Sequence, residues 1–125
     1  MALGSRRTEL TFCALGAAIT VQDNQIAFNL PTNAGFTLTG VSCNARAFGA
    51  SVTSFNVDVN VAGTSIADGV GTCSTAGTPG YTAIDPATYT TRHIAGGSKV
   101  TIDLHANGGT QVTDATVVLY GMWDG

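Results

Sequence analysis

Charged side chains are scarce in this sequence. They make up 10% of its 125 residues, against roughly 25% in an average soluble protein. Lysine occurs once, at Lys99. A monomer ordinarily uses Lys and Glu to wet its surface and to keep strand edges from pairing with other chains. Here Thr, Ser, Asn and Gly stand in their place. Combined with a positive mean hydropathy, this leaves few residues to solvate a free surface and points to one covered by other protein, in a tight oligomer or lattice. Five cationic groups face eight acidic ones, for a net charge of −3. No basic patch of the kind that phosphate binding needs can be built from that, so nucleic acid is not an expected partner. No run approaches the ~20 apolar residues of a membrane span, so no membrane is expected either.

Other absences narrow the field further. No window of twelve residues carries a helical stripe. The cysteines Cys13, Cys43 and Cys73 are odd in number and have no C-x-x-C pairing, which excludes a fully paired disulfide framework and shows no recognisable zinc motif. They read as buried free thiols acting as small hydrophobes, with one disulfide plus one free thiol as the alternative. Arg6-Arg7 ahead of the apolar run Phe12 to Val21 faintly resembles an export signal. Glu9 sits where such a signal does not tolerate charge, the run alternates with the polar residues Thr11, Thr20 and Gln22, and bulky Phe12 before Cys13 argues against a lipoprotein site. The segment is read instead as an N-terminal arm, residues 1–8, leading into a single domain, residues 9–125.

What the sequence has is period-two alternation. In Phe55-Asn56-Val57-Asp58-Val59-Asn60-Val61 every odd position is apolar and every even one polar, and Val100 to Ala106 repeats the pattern. Successive strand side chains point to opposite faces, so each segment buries one face and wets the other. Further strands are expected over Glu9–Leu15, Gln25–Leu30, Gly35–Ala47, Thr64–Ala67, Tyr81–Ile84, Thr88–Ile94 and Gln111–Met122, with a loop over Asp68–Gly80. In the last strand Val117, Val118 and Leu119 are apolar on both faces, as for a strand lying between its own core and something else. Turn chemistry sits between the strands, at Ala62-Gly63, Ala95-Gly96-Gly97-Ser98 and Asn107-Gly108-Gly109. About eight to nine short strands at this spacing predict an all-β protein, an antiparallel two-sheet sandwich of jelly-roll type.

Candidate sites are few. Asp103 and His105 share the outward face of one strand, about 7 Å apart at i, i+2 spacing. They could make half of a metal site, or a base with an orienting acid. No third ligand can be named, and outward polar residues are commonplace on strands, so no metal or cofactor is expected. Asp68, Asp85 and Asp114 read as turn residues. No paired carboxylates in a cleft, G-x-S-x-G elbow or phosphate-cradling glycine motif is present, so the chain is not read as an enzyme. Tyr81, Tyr89, Tyr120 and Trp123 are the available aromatic platforms. Trp123 is expected to be covered by a neighbouring subunit, with a sugar shelf or packing on its own edge as the alternatives. In the arm, Arg6 and Arg7 are expected to pair with acidic groups on a neighbouring subunit or capsid. The expected interface set is therefore Leu3, Arg6, Arg7, Val118, Tyr120 and Trp123.

The stretch Phe55 to Ile66, the loop with Thr78-Pro79, the run Thr90-Thr91-Arg92-His93-Ile94-Ala95-Gly96-Gly97-Ser98-Lys99-Val100-Thr101-Ile102-Asp103-Leu104, and the closing Val117-Val118-Leu119-Tyr120-Gly121 follow a familiar order. This order resembles tailed-phage capsid decoration (cement) proteins and the related jelly-roll modules of tail fibres. The similarity covers Phe55 onward well and the first half loosely. Gly97-Ser98-Lys99 stands where Gly-Asp is commoner. The resemblance implies a jelly roll, often trimeric, that clamps the major capsid protein on the outer surface of a virion assembled in the host cytoplasm. Starting at Met1 and lacking a fibre shaft, the chain is expected to be a decoration protein. The alternatives are a receptor-binding tail or adaptor module and a carbohydrate-binding module.

Overall fold

The computed structural model describes residues 6–16, 19–21, 23 and 25–124. Ten strands run in chain order: β1 Arg6–Ala14, β2 Ile19–Thr20, β3 Ile26–Asn29, β4 Phe36–Phe48, β5 Ser54–Val61, β6 Thr64–Cys73, β7 Gly80–Ala83, β8 His93–Ile94, β9 Lys99–Asn107 and β10 Gln111–Trp123. Among the described residues there is no helix. One sheet has the order β1-β10-β4-β7, with β2 added to β10 and β8 to β4; the other is β3-β9-β5-β6. All pairings are antiparallel.

Setting aside the two-residue strands β2 and β8, the pairing is nested. β1 joins β10, β3 joins β9, β4 joins β7, and β5 joins β6. Successive nested pairs alternate between the two sheets, which is a long hairpin rolled into the two-sheet jelly roll.

The core is the space between the sheets. Phe55, Val57 and Val59 from β5 face Val100, Ile102 and Leu104 from β9 on the same inner side, all essentially without exposure. Phe36, Leu38, Val41, Cys43, Val117 and Leu119 close it from the other sheet. Each large apolar side chain removed from water this way stabilises the fold by about 1.5–3 kcal/mol, and alternation supplies them without a helix.

Three boundaries differ clearly from the sequence expectation, each for a local reason. β1 begins at Arg6, so residues 6–8 are strand and not arm. Strand β10 is long enough to offer Met122 to Arg7 and Gly121 to Thr8. β6 continues to Cys73 through Asp68-Gly69-Val70-Gly71, where a loop was expected. Gly69 and Gly71 hold φ of 63° and 68° and absorb the register shifts of the β5–β6 pair as bulges. Val70 and Cys73 can then still point into the core. The Thr88–Ile94 strand shrinks to His93–Ile94, because the Asp85 carboxylate accepts from the Ala87 and Thr88 amides and turns the chain there. Asp68 and Asp114 sit inside strands rather than turns. The β5–β6 hairpin closes on Ala62 and Gly63, at φ 50° and 83°, the double positive φ of a type I′ turn.

The three cysteines are free but not alike. Cys43 and Cys73 are buried and Cys13 is exposed, correcting the expectation of three buried thiols. The Cys43 thiol donates to the Gly71 carbonyl at 2.7 Å. Burial, with the nearby Cys73 second, pushes its pKa up to about 12. Thiol-specific alkylation of the native protein at neutral pH is expected to modify Cys13 alone, with Cys43 and Cys73 reacting only in denaturant. Equal native reactivity of all three would contradict this packing.

Candidate functional site

The two outer faces of the sandwich differ in chemistry, and the first sheet carries the apolar one. On β10, Val117 and Leu119 point inward, so Thr116, Val118, Tyr120 and Met122 point out. Register then sets their neighbours: Arg7 lies beside Met122, Glu9 beside Tyr120, and Thr11 beside Val118 on β1. On the other side, Ser42 of β4 neighbours Val118 and Gly40 neighbours Tyr120. β7 adds Tyr81 opposite Ser42. The Tyr81 ring occupies the space over Gly40 that any side chain there would claim. It meets Tyr120 edge-on, centroids 5.6 Å apart at 73°. Tyr81 remains 59% exposed. Between these groups lies a shallow, open hollow lined by Arg7, Glu9, Thr39, Tyr81, Tyr120 and Met122.

This arrangement brings together Arg7, Val118 and Tyr120 of the expected interface set. Trp123 stands apart, its ring packed edge-on against buried Phe36 at 5.0 Å, so it extends the core of its own chain. Arg6 pairs through its backbone with Trp123, and Leu3 lies outside the described residues. Tyr81 and Met122 were not in the expected set. The signal for Tyr81 is a glycine in an otherwise alternating strand, which marks close approach by another group. The hollow holds one carboxylate, one guanidinium, two phenols and the hydroxyls of Thr8 and Thr39. Aromatic groups with polar tips, an aliphatic centre and charge at the rim are the makings of a protein-binding patch.

The second sheet's outer face is polar. Asn56, Asp58 and Asn60 of β5 lie directly opposite His105, Asp103 and Thr101 of β9. Asp58 and Asp103 are thus like charges in register, a destabilising cross-strand pair. The Asn60 amide donates to Asp103 Oδ2 at 3.1 Å, and Ser65 donates its hydroxyl to Asp58. Partial burial, more than the neighbouring Asp68 and Asp103 charges, holds the Asp58 carboxyl above its ordinary value, while the Ser65 hydrogen bond pulls it down. Elsewhere Asp114 takes the Gly16 amide at 2.8 Å and the Arg46 guanidinium at 2.7 Å. Those bonds, Arg46's first, hold its carboxyl below the usual range. The His93 imidazole lies 2.9 Å from the Asp124 carboxylate at the chain's far end.

No family model matches the chain, and no curated protein matches it. Among solved structures it is similar to a chain of the cyanophage Pam1 capsid, at 19% identity over 97% of this chain and 88% of that one, with a TM-score of 0.46. It is similar to the NLP core of Drosophila, described in terms of pentamer formation and histone binding, at 17% identity over 97% and 99%, with a TM-score of 0.45. A capsid chain of the Helicobacter pylori bacteriophage KHP30 aligns at 17% identity over 98% and 90%, with a TM-score of 0.40. All three fall below a TM-score of 0.5, and none of them carries the functional reading.

The partly buried Asp58 carboxyl generates a pH prediction. A raised carboxyl pKa means the folded state binds that proton more tightly than the unfolded chain does. Stability from this group therefore grows as pH falls through the raised value, and the ionised form is a burden at neutral pH. Asp58→Asn is expected to raise stability at pH 7 by a few tenths to ~1 kcal/mol. Its advantage should vanish below the ordinary carboxylate value of 3.8. Denaturant titrations of both proteins at pH 7 and pH 3 check this, and a variant destabilised at neutral pH would contradict it.

Proposed function

We propose that this chain is a virion structural protein, a decoration protein that assembles as a trimer and binds the outer surface of the major capsid protein to stabilise the shell. One observation carries the reading: the outer face of the first sheet presents Val118, Tyr120, Met122 and the half-exposed Tyr81 with no further layer of described residues over it. Such a face is expensive to leave in water and favours burial against another protein. The sparse charge of the whole chain works the same way, because little desolvation opposes docking. The resemblance of Phe55 onward to phage decoration proteins supplies the class of partner. A two-sheet sandwich with antiparallel pairing throughout suits a part that resists load across a shell.

The Tyr81–Tyr120 pair also favours a second reading, a glycan-binding tail, adaptor or carbohydrate-binding module. One face of Tyr81 lies on the sheet at Gly40, leaving the other free to stack on a sugar ring.

Native mass spectrometry and binding to particles stripped of their decoration separate the two. A decoration protein gives a trimer and saturable binding to the particles. Val118→Asp, at the centre of the face, should weaken particle binding at least tenfold, or ~1.4 kcal/mol, with the fold intact by circular dichroism. A chain that stays monomeric, ignores particles and binds host glycans through Tyr81 would overturn the decoration reading in favour of the second.

A further inference from the structure

A loop residue completes a constellation of which the sequence shows only half. Asp23, between β2 and β3, reaches over the second sheet's outer face to Asp103 and His105 on β9. One ligand atom from each of the three lies within 4.8 Å of the other two. The His105 imidazole Nε2 and the Asp23 carboxylate oxygen are 4.0 Å apart, too far for a hydrogen bond. Two ligands of one tetrahedral zinc, each ~2.0–2.2 Å from the ion, stand ~3.3–3.6 Å apart, so these two exposed side chains need close by only about half an ångström to share an ion. As a bare ion pair the contact is weak, because both side chains are at least half exposed.

Two further features single this cluster out from ordinary surface acids. Asp103 is only 9% exposed, and the Asn60 amide fixes one of its oxygens, as outer hydrogen bonds orient a ligating carboxylate. Asp58 faces Asp103 across the strand pair, and Asp68 adds to the negative field around Asp58. A cation among them relieves the like-charge repulsion between Asp58 and Asp103.

We propose that Asp23, Asp103 and His105 bind one divalent transition-metal ion of the zinc or manganese class. The imidazole nitrogen favours these over calcium, which takes six to eight oxygens. Bound there, the ion pins the loop at residue 23 to β9, and through Asn60 to β5. The inference is independent of the decoration reading and stands or falls without it.

The test is titration of the full-length chain with Zn²⁺, Mn²⁺ and Ca²⁺, followed by calorimetry and thermal unfolding, on a Cys13→Ser background that removes the exposed thiol. The expected result is one Zn²⁺ or Mn²⁺ per chain, weaker Ca²⁺ binding, and a Tm rise of at least ~5 °C at a hundredfold excess over Kd. His105→Ala and Asp23→Asn, both at exposed positions, should each weaken binding at least tenfold. His93→Ala, at the other histidine, should leave it unchanged. No uptake at millimolar metal overturns the proposal. So does uptake indifferent to His105→Ala and Asp23→Asn, or uptake abolished by His93→Ala.

Discussion

Strand β10 is hydrogen-bonded along both of its edges, to β1 from Arg6 to Ala14 on one side and to β4 from Phe36 to Phe48 on the other. That double pairing ties the start of the chain to its end and leaves the remaining strands to nest within. It also commits alternate side chains of one thirteen-residue strand to opposite tasks. Val117 and Leu119 go to the core, while Val118, Tyr120 and Met122 go to the outside. A slip of one residue would exchange the two sets. Register is held by the core, since Leu10 must meet Leu119 and Phe12 must meet Val117 on the inner side. The bulge between Tyr120 and Gly121 absorbs an extra β4 residue, and Gly121 is required there because a side chain would strike the Phe36 ring and the Thr37 carbonyl.

The sandwich places its two outer faces back to back and gives them opposite chemistry. The first sheet's face is aliphatic and aromatic, with Arg7 and Glu9 as its charged members along β1. The second sheet's face is a row of Asn and Asp in which the only cation-capable member of the central register is His105. The proposed burial of the first face would draw on the cost of leaving apolar surface in water. Binding at the second is electrostatic, driven by carboxylates that the fold forces into register. The two activities share no residue, so each can be altered without the other.

Much of the fold was legible because alternation is a direct consequence of strand geometry. Phe55 to Val61 and Val100 to Ala106 became adjacent core strands, as their pattern predicts. The strand through Asp68-Gly69-Val70-Gly71 was not legible. Its composition is that of a loop, and it becomes a strand only because the partner β5 and two positive-φ glycines accommodate its bulges. Among the alternatives open for Trp123, packing on its own edge is the one the Phe36 contact fits, and that contact depends on register at the far end of β10, which local sequence does not encode. Of the candidate face, Val118 and Tyr120 could be read from the double-sided apolar pattern of β10. For Tyr81 the sequence carried only the hint of Gly40, because the ring that covers it arrives from a separate edge strand. Asp23 is further still from sequence reach, a loop carboxylate placed beside His105 by tertiary structure alone.

The central claim is that the first sheet's outer face is the one buried when this chain does its work. Hydroxyl-radical footprinting of the assembled particle against the free chain tests it most directly, since Tyr and Met side chains report their own solvent exposure. Strong protection of Tyr81, Tyr120 and Met122, with His105 unchanged, is the predicted result. Protection confined to the second sheet, or none at all, would contradict it.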